Sequence, residues 1–329
     1  RFLGDRLGAI VSASYYDQVY GSDNKEGVWG QTTTGAAYLQ QFDIRRYDVQ
    51  RRRRSASGSF DWRFNATNTV MFRSIYNSRD DWENRFRTRL VLSAPDTAGL
   101  QRAEVRRQTK GGGDGPRVRN TRLEDQRTQS HQLSGEHLLG RLGVTWSASI
   151  ARASETRPDE RYIEWRKTNV TFRPDLSDAE TPTFTATNAA LVAPSAFTFR
   201  QIELLESYTK DEDRNGRLDV SLPLGDPAQE TRLKAGIRLR EKTKLRDNSF
   251  ARAVPRTPPD FANLALRGSA DFTLPNYAGP YEYGTFSTPS YLGSLRVRDT
   301  AQFTIQDQPA QYGAANFDAT ERIGAGTCS

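Results

Sequence analysis

The sequence predicts an all-β chain of long antiparallel hairpins, and three observations carry that prediction. Stretches of about ten residues alternate strictly between apolar and polar side chains, the mark of a half-buried strand. Short turns rich in Asn, Thr, Gly and Asp alternate with long polar loops. No run of 18 or more apolar residues occurs, so a transmembrane helix is excluded. In SASGSFDWRF (55–64), Ala56, Gly58, Phe60, Trp62 and Phe64 share one face, opposite Ser55, Ser57, Ser59, Asp61 and Arg63. Successive side chains leave a pleated strand on opposite faces, which is why a period of two reads as a strand. A stretch of about ten residues is also what a tilted strand needs to cross a bilayer core. The expected architecture is therefore an antiparallel transmembrane β-barrel, incomplete: an open curved sheet of long hairpins with long extracellular loops.

Along the chain, residues 6–16 place Leu7, Ala9, Val11, Ala13 and Tyr15 on one face, and GSDNKEG (21–27) reads as a loop. The strand ending at Phe64 meets the next through Asn65-Ala66-Thr67-Asn68, a tight-turn composition. That next strand carries Val70, Phe72 and Tyr76 on one face, although Met71 and Ile75 blur the other. A polar excursion is expected from Ser93 to about Leu133, with GGGDG (111–115) at its tip. RLGVTWSASI (141–150) restores alternation, with Leu142, Val144, Trp146, Ala148 and Ile150 against Gly143, Thr145, Ser147 and Ser149. Residues 155–216 are mixed. RLDVSLPLG (217–225) and RLKAGIRLRE (232–241) then read as a hairpin around Gly225-Asp226-Pro227, and the remainder from Lys242 reads as another long loop.

Composition is compatible with a membrane wall without proving one. Only 36% of residues are hydrophobic and the mean hydropathy is −0.75. A barrel strand turns only every second residue to lipid, so its average hydropathy stays low. A polar, loop-rich soluble protein has the same averages. Lysine and arginine outnumber aspartate and glutamate by 47 to 40, and the surplus is mostly arginine, clustered at Arg51–Arg54 and alternating at Arg85, Arg87 and Arg89. Basic clusters point to nucleic acid, acidic lipid or an anionic solute. No nucleic-acid motif accompanies these, and arginines spaced along strands fit a cationic lumen wall or a face near lipopolysaccharide phosphate.

Few residues suggest chemistry. Cys328 has no internal partner, being the one cysteine, and no structural zinc set exists. His131 and His137 are six apart, which is wrong for one helix face and right for one face of a strand. Asp211-Glu212-Asp213-Arg214-Asn215-Gly216 matches the start of a calcium loop, but Leu222 stands where the bidentate acid belongs, so a polar loop leading into a strand is the better reading. GGGDGPR (111–117) lacks the lysine and hydroxyl of a phosphate-binding loop. No nucleophile and base share a local signature, so neither an enzyme nor a cofactor is expected.

Several strings resemble the barrel of TonB-dependent outer-membrane receptors. RFLGDRLGAIVSASYY (1–16) is similar to a strand that follows their plug domain. YDVQRRRRSASGSFDWRFNATNTVMFRSIYN (47–77) resembles their next hairpin, with its Asp-Trp pair and Asn turn. RLKAGIRLREKTKLRD (232–247) is similar to a strand rising into an extracellular loop, and NFDATERI (316–323) resembles the approach to a later strand. The resemblance implies a Gram-negative outer-membrane location, lipid and lipopolysaccharide around the wall, and import of a scarce solute (a siderophore, cobalamin or an oligosaccharide) with energy from the TonB complex. Nothing in the chain resembles the plug or the TonB box, and GAGTCS (324–329) replaces the expected continuation. The implied object is residues 1–329 as a partial barrel, truncated at both ends, which alone forms an open sheet or aggregates and does not transport. In it Ser55, Ser57, Ser59, Asp61, Arg63, Lys234 and Arg238 line the lumen. The alternative is a soluble or surface β-rich protein that binds anionic partners through its arginines. Phe60, Trp62, Trp146 and Ile237 discriminate: outward toward lipid in the barrel, buried between two layers in the soluble protein.

Overall fold

The computed structural model describes residues 4, 6–224, 231–256, 261–271, 281–307 and 315–323. Its strands are β1 (Leu7–Gln31), β2 (Ala37–Asn65), β3 (Asn68–Leu92), β4 (Gln101–Gly112), β5 (Arg122–Leu139), β6 (Leu142–Asp175), β7 (Thr183–Ala186), β8 (Thr198–Pro223), β9 (Arg232–Pro255), β10 (Gly268–Asp271), β11 (Thr285–Ser287), β12 (Phe303–Asp307) and β13 (Ala315–Ile323). One short helix, α1 (Pro289–Ser294), is the α-helical element among the described residues. Apart from the small β10–β11 pair, the strands form one antiparallel up-and-down sheet.

β4 and β5 occupy a single strand position. β4 pairs with Arg85–Leu92 of β3, and β5 continues the same ladder along Asn68–Glu83. Residues 113–121 leave and re-enter the sheet between them. β12 and β13 share the next position beyond β9 in the same way. The order is thus β1, β2, β3, β4/β5, β6, β8, β9, β12/β13, and among the described residues nothing pairs with the outer edges of β1 or of β12 and β13.

The end of the sheet with short connections is called proximal here. The β2–β3 turn is fixed by Asn65, whose Oδ1 accepts from the Thr67 amide at 3.0 Å and from Asn68 Nδ2 at 2.8 Å, the self-capping that suits Asn to turns. β5 and β6 are joined through Gly140, whose φ of 63° lies in the left-handed region. Just inside that turn, a Cβ on Gly135 would stand 2.4 Å from Trp146 Nε1; its absence lets the indole lie across the strand and donate to His137 Nε2 at 3.0 Å.

The strands are far longer than their alternating stretches. β1 has 25 residues, β2 has 29 and β6 has 34. At about 3.4 Å per residue and a tilt near 45°, 25 residues rise roughly 60 Å, twice a hydrocarbon core of about 30 Å. The expected loops at 21–27, through most of 93–133 and at the start of the 242 segment are therefore strand, as is much of 155–216. Polar residues stand on both faces over much of their length, so the hydrophobic period is too broken to mark them. The register set at the proximal turns carries on, and cross-strand ion pairs replace apolar contacts.

Each strand keeps one face apolar at both ends. At the distal end that face holds Phe42, Phe86, Leu90, Val105, Ile163, Trp165, Ile202 and Ala253, all buried. The cover is the strap 281–303 together with Phe184, Phe197 and Phe261. The strap crosses the sheet and is pinned as it goes. Tyr283 donates to Asp23 Oδ1 at 2.7 Å, Thr88 donates to the Tyr283 carbonyl and Thr109 to the Ser287 carbonyl at 2.6 Å each, and Trp165 Nε1 donates to Ser287 Oγ at 2.9 Å. The sheet is barrel-like in form, and β7 folds back over this core. Phe42 on β2 and Phe184 on β7 stand four strand spacings apart, about 19 Å on a flat sheet. Their ring centroids are 5.5 Å apart.

Candidate functional site

The opposite, polar face carries a continuous ion network in its distal half. Period-two alternation puts Asp43, Arg45, Arg85, Arg87, Arg89, Gln108, Lys110, Arg122, Glu124, Glu160 and Glu164 on this one surface. Asp43 is 0% exposed. It accepts both arms of Arg89 at 2.7 Å and Arg45 Nη2 at 2.7 Å. Glu164 holds Arg87 at 3.2 Å, Arg200 at 2.5 Å and Gln108 at 2.9 Å. Glu83 joins Lys110 at 2.9 Å to Arg122 at 2.6 Å, and Arg122 also bonds Glu124. Buried charge survives only when paired and hydrogen-bonded. Asp43, Glu83 and Glu164 meet that condition, while the Nε groups of Arg45, Arg85, Arg87 and Arg122 are buried without a hydrogen bond among the described residues.

Proton affinities follow the packing in this distal half. Burial alone would raise the Asp43 carboxyl; the Arg89 and Arg45 bonds overcome it and hold the group below the ordinary carboxylate range. Arg87 is pushed down to about 10 by burial and by Arg85 and Arg89 beside it. Burial, with Glu164 adjacent, raises Glu203.

The expected lining residues share the proximal half of this polar face. Ser55 Oγ meets Ser14 Oγ at 2.6 Å and Ser57 Oγ meets Ser12 Oγ at 2.7 Å. Ser59 faces Ile10 and Arg73, Asp61 faces Gly8 and Met71, and Arg63 faces Thr69 in the ladder. Lys234 and Arg238 lie on β9 opposite Ser221 and Arg217, five strand spacings away, and Arg238 reaches Asn215 Oδ1 at 3.3 Å. The seven residues therefore share a surface and form two groups, one column on β2 and one on β9. Beside the β2 column is a polar depression of about 380 Å³, lined by Ser14, Arg53, Ser55, Asn77, Arg79 and Thr128. Guanidinium, hydroxyl and amide groups converge there, the donor set for an oxygen-rich anion.

The other face is bare at the proximal end. Phe60 is 43% exposed, Trp62 53% and Ile237 53%. Trp146 is half-buried on the same surface. Comparison with protein-family models, with curated proteins and with solved structures finds no match. The functional reading therefore rests on the geometry of these two faces.

His131 and His137 do share one strand face, bonded through Nδ1 to Ser74 Oγ at 2.9 Å and to Asn68 Oδ1 at 2.8 Å. Residues 211–216 run straight through β8, not through a loop. Asp211 and Asp213 pair with Lys242 and Arg240, while Glu212 points to the opposite face, so the three carboxylates do not converge. Gly111 and Gly112 close β4 and the rest of that motif opens the 113–121 excursion. The last residues, 324–329, lie outside the described residues. The buried distal network was missed in sequence, although the alternating Arg85, Arg87 and Arg89 signalled that a matching row of acids had to exist.

Proposed function

We propose that this chain forms part of the wall of an outer-membrane active-transport receptor, the class its strings resemble. Its polar face lines the solute path and its bare apolar face meets lipid. The observation that carries this reading is the apolar band. From β1 to β9 the proximal apolar face presents Val11, Phe60, Trp62, Phe72, Leu133, Leu218, Ile237 and Leu239, each more than a third exposed. Soluble monomers rarely leave an apolar patch beyond a few hundred Å² uncovered.

The upper limit of the band supports the same reading. Going up each strand on that face, the first charged residue is Asp17 on β1, Arg54 on β2, Asp80 on β3, Arg127 on β5, Arg152 on β6, Arg214 on β8 and Glu241 on β9. The ladders place Asp17 level with Arg52, and Arg54 level with Ser78, Arg127, Ser154, Lys210 and Leu245. From β1 to β9 the limit thus descends by six residues, about 20 Å, over six strand spacings, about 29 Å. That is an obliquity of about 35°, and barrel strands tilt by about 35–45° to the membrane normal. A planar lipid boundary drawn across tilted strands has this form.

The solute is taken to be scarce and oxygen-rich, of the siderophore, cobalamin or oligosaccharide class, with import energised through TonB. A closed and plugged lumen of that kind takes about 22 strands, so eight positions supply a part of it. The soluble binder of anionic partners would bury Phe60, Trp62, Trp146 and Ile237 between two layers, whereas Phe60, Trp62 and Ile237 are exposed and Trp146 is half-buried.

Tryptophan fluorescence in liposomes of brominated phosphatidylcholine tests the reading. Trp62 and Trp146 are expected to be quenched, while Trp165, buried under the strap, stays bright. A Trp62→Phe, Trp146→Phe variant that is quenched as strongly as the wild type would refute it.

A further inference from the structure

One side chain on the bare proximal band is out of place there. His131 stands on the apolar face of β5, four residues below Arg127, where the band ends, and eight above Leu139, where the strand ends. Four residues along a strand tilted near 40° put its ring about 10 Å inside the apolar layer. Ser74, level with it on β3, meets its Nδ1 at 2.9 Å, and among the described residues nothing bonds its Nε2. His137, nearer the short turn, differs: its Nδ1 lies on Asn68 and its Nε2 accepts from Trp146. Hydrocarbon offers a bare ring nitrogen no partner, and the ester and phosphate oxygens of lipid stay at the boundary of that layer. A group that bonds Nε2 at this depth therefore belongs to protein.

The surface on the two sides of β5 is built of opposites. On β3, Phe72 and Tyr76 form a ridge, 38% and 41% exposed. On β6, the other neighbour of β5, Ala148 lies opposite Gly216 of β8, and the two floor a groove of about 860 Å³. A Cβ added at Gly216 would meet nothing within 4 Å, so the groove is open above that residue. At the upper limit of the band β3 carries Asp80 and β6 carries Arg152, while Arg127 of β5 is paired with Asp125 at 2.6 Å. Two strands out, Arg54 on β2 and Arg214 on β8 are alike in sign, and each is held within its own chain. Arg54 meets Asp80 at 3.8 Å, and Arg214 meets Glu212 at 2.7 Å and Glu241 at 3.6 Å.

We propose that this face binds a second copy of the chain about a two-fold axis that passes through β5 at His131. The inference rests on the reading of the band as embedded in lipid. Such an axis, along the membrane normal, exchanges β3 and β6. The Phe72–Tyr76 ridge of each copy then meets the trough of the other, and Asp80 faces Arg152, the self-complementarity that a two-fold contact requires. The two His131 rings meet on the axis and share one Nε2–H···Nε2 hydrogen bond. That bond needs opposite tautomers in the two copies. The Ser74 hydroxyl serves both, donating to Nδ1 in one copy and accepting from it in the other.

The test uses the full chain with Cys328→Ser and Leu133→Cys, in dodecyl maltoside at low protein concentration, oxidised with copper phenanthroline. Leu133 neighbours His131 on the same face, so a covalent dimer is expected. Val11→Cys, on the unpaired edge strand β1, is expected to give little. Added to Leu133→Cys, His131→Leu is expected to cut the yield about fivefold, the effect of one net hydrogen bond. Ala148→Phe, which fills the trough, is expected to cut it at least as much. Brominated-lipid quenching of Trp62, on β2, is measured alongside. Quenching that persists with no Leu133 dimer, with as much dimer from Val11, or with undiminished yield in either added variant overturns the two-fold contact and leaves the wall standing. Loss of quenching in the wild type overturns both.

Discussion

Asp43 concentrates the chemistry of the polar face in one residue. It is wholly buried, and Arg45 and Arg89 close on it while Arg87 stands 4.0 Å away. Asp43→Ala would leave three neighbouring guanidinium groups without their shared counter-charge. Breaking a buried pair from one side costs on the order of 3–5 kcal/mol. Urea unfolding is expected to show that loss, while Glu241→Gln, at an exposed carboxylate, should change stability by less than about 1 kcal/mol. The pH dependence has a definite sign. Because the folded state holds the Asp43 carboxyl below its unfolded value, near 3.9, its stabilisation is complete above that value and disappears as pH falls through the lower folded one. The acid limb of a stability profile is therefore expected to lie below about pH 4 and to be shallower in Asp43→Asn. Period two sufficed to put Ser55 to Arg63 on one surface. It did not reveal the network, since Asp43 and Arg89 are 46 residues apart and Arg87 and Glu164 are 77 apart. Pairings of that kind become visible only once register is known.

The elements divide into a half legible in sequence and a half that was not. In the proximal ten or so residues of the long strands, apolar and polar residues alternate, and the turn at Asn65 closes its hairpin as its composition suggests. In the distal half both faces are polar over long stretches, and composition there is that of a loop. Strand structure persists because each hairpin extends an established ladder, and because charges of opposite sign meet across it, as Arg51 does with Asp81 at 2.8 Å. The strap 281–303 was equally hidden: it has loop composition and its partners are nearly 200 residues away, Thr88 and Tyr283 being 195 apart. Two of its anchors to the sheet are single threonine hydroxyls. Thr88→Val and Thr109→Val each remove one hydrogen bond to the strap, at a cost of about 0.5–1.5 kcal/mol. Limited proteolysis of the double variant is expected to cut within 281–303 well before the strands. Equal cleavage of variant and wild type would mean that these bonds do not hold the strap.

For the whole molecule, the two faces explain why the sequence is so polar and yet exposes so many large apolar residues. On the proposed reading, half of every proximal strand is polar because it looks away from lipid, and among the described residues nothing covers the large apolar side chains of the other half that are more than a third exposed. The sheet's outer edges, on β1 and on β12 and β13, are unpaired among the described residues, and in hydrocarbon their backbone groups would need partners. The rest of a receptor wall would supply them. Whether the bare band meets lipid is read by a nitroxide scan of residues 55–64 in liposomes, made in a Cys328→Ser background. Ala56, Gly58, Phe60, Trp62 and Phe64 are expected to be accessible to oxygen from the bilayer. Ser55, Ser57, Ser59, Asp61 and Arg63 should respond out of phase, to a water-soluble nickel reagent. Loss of the alternation, or even-numbered positions shielded from both reagents, would contradict contact with lipid.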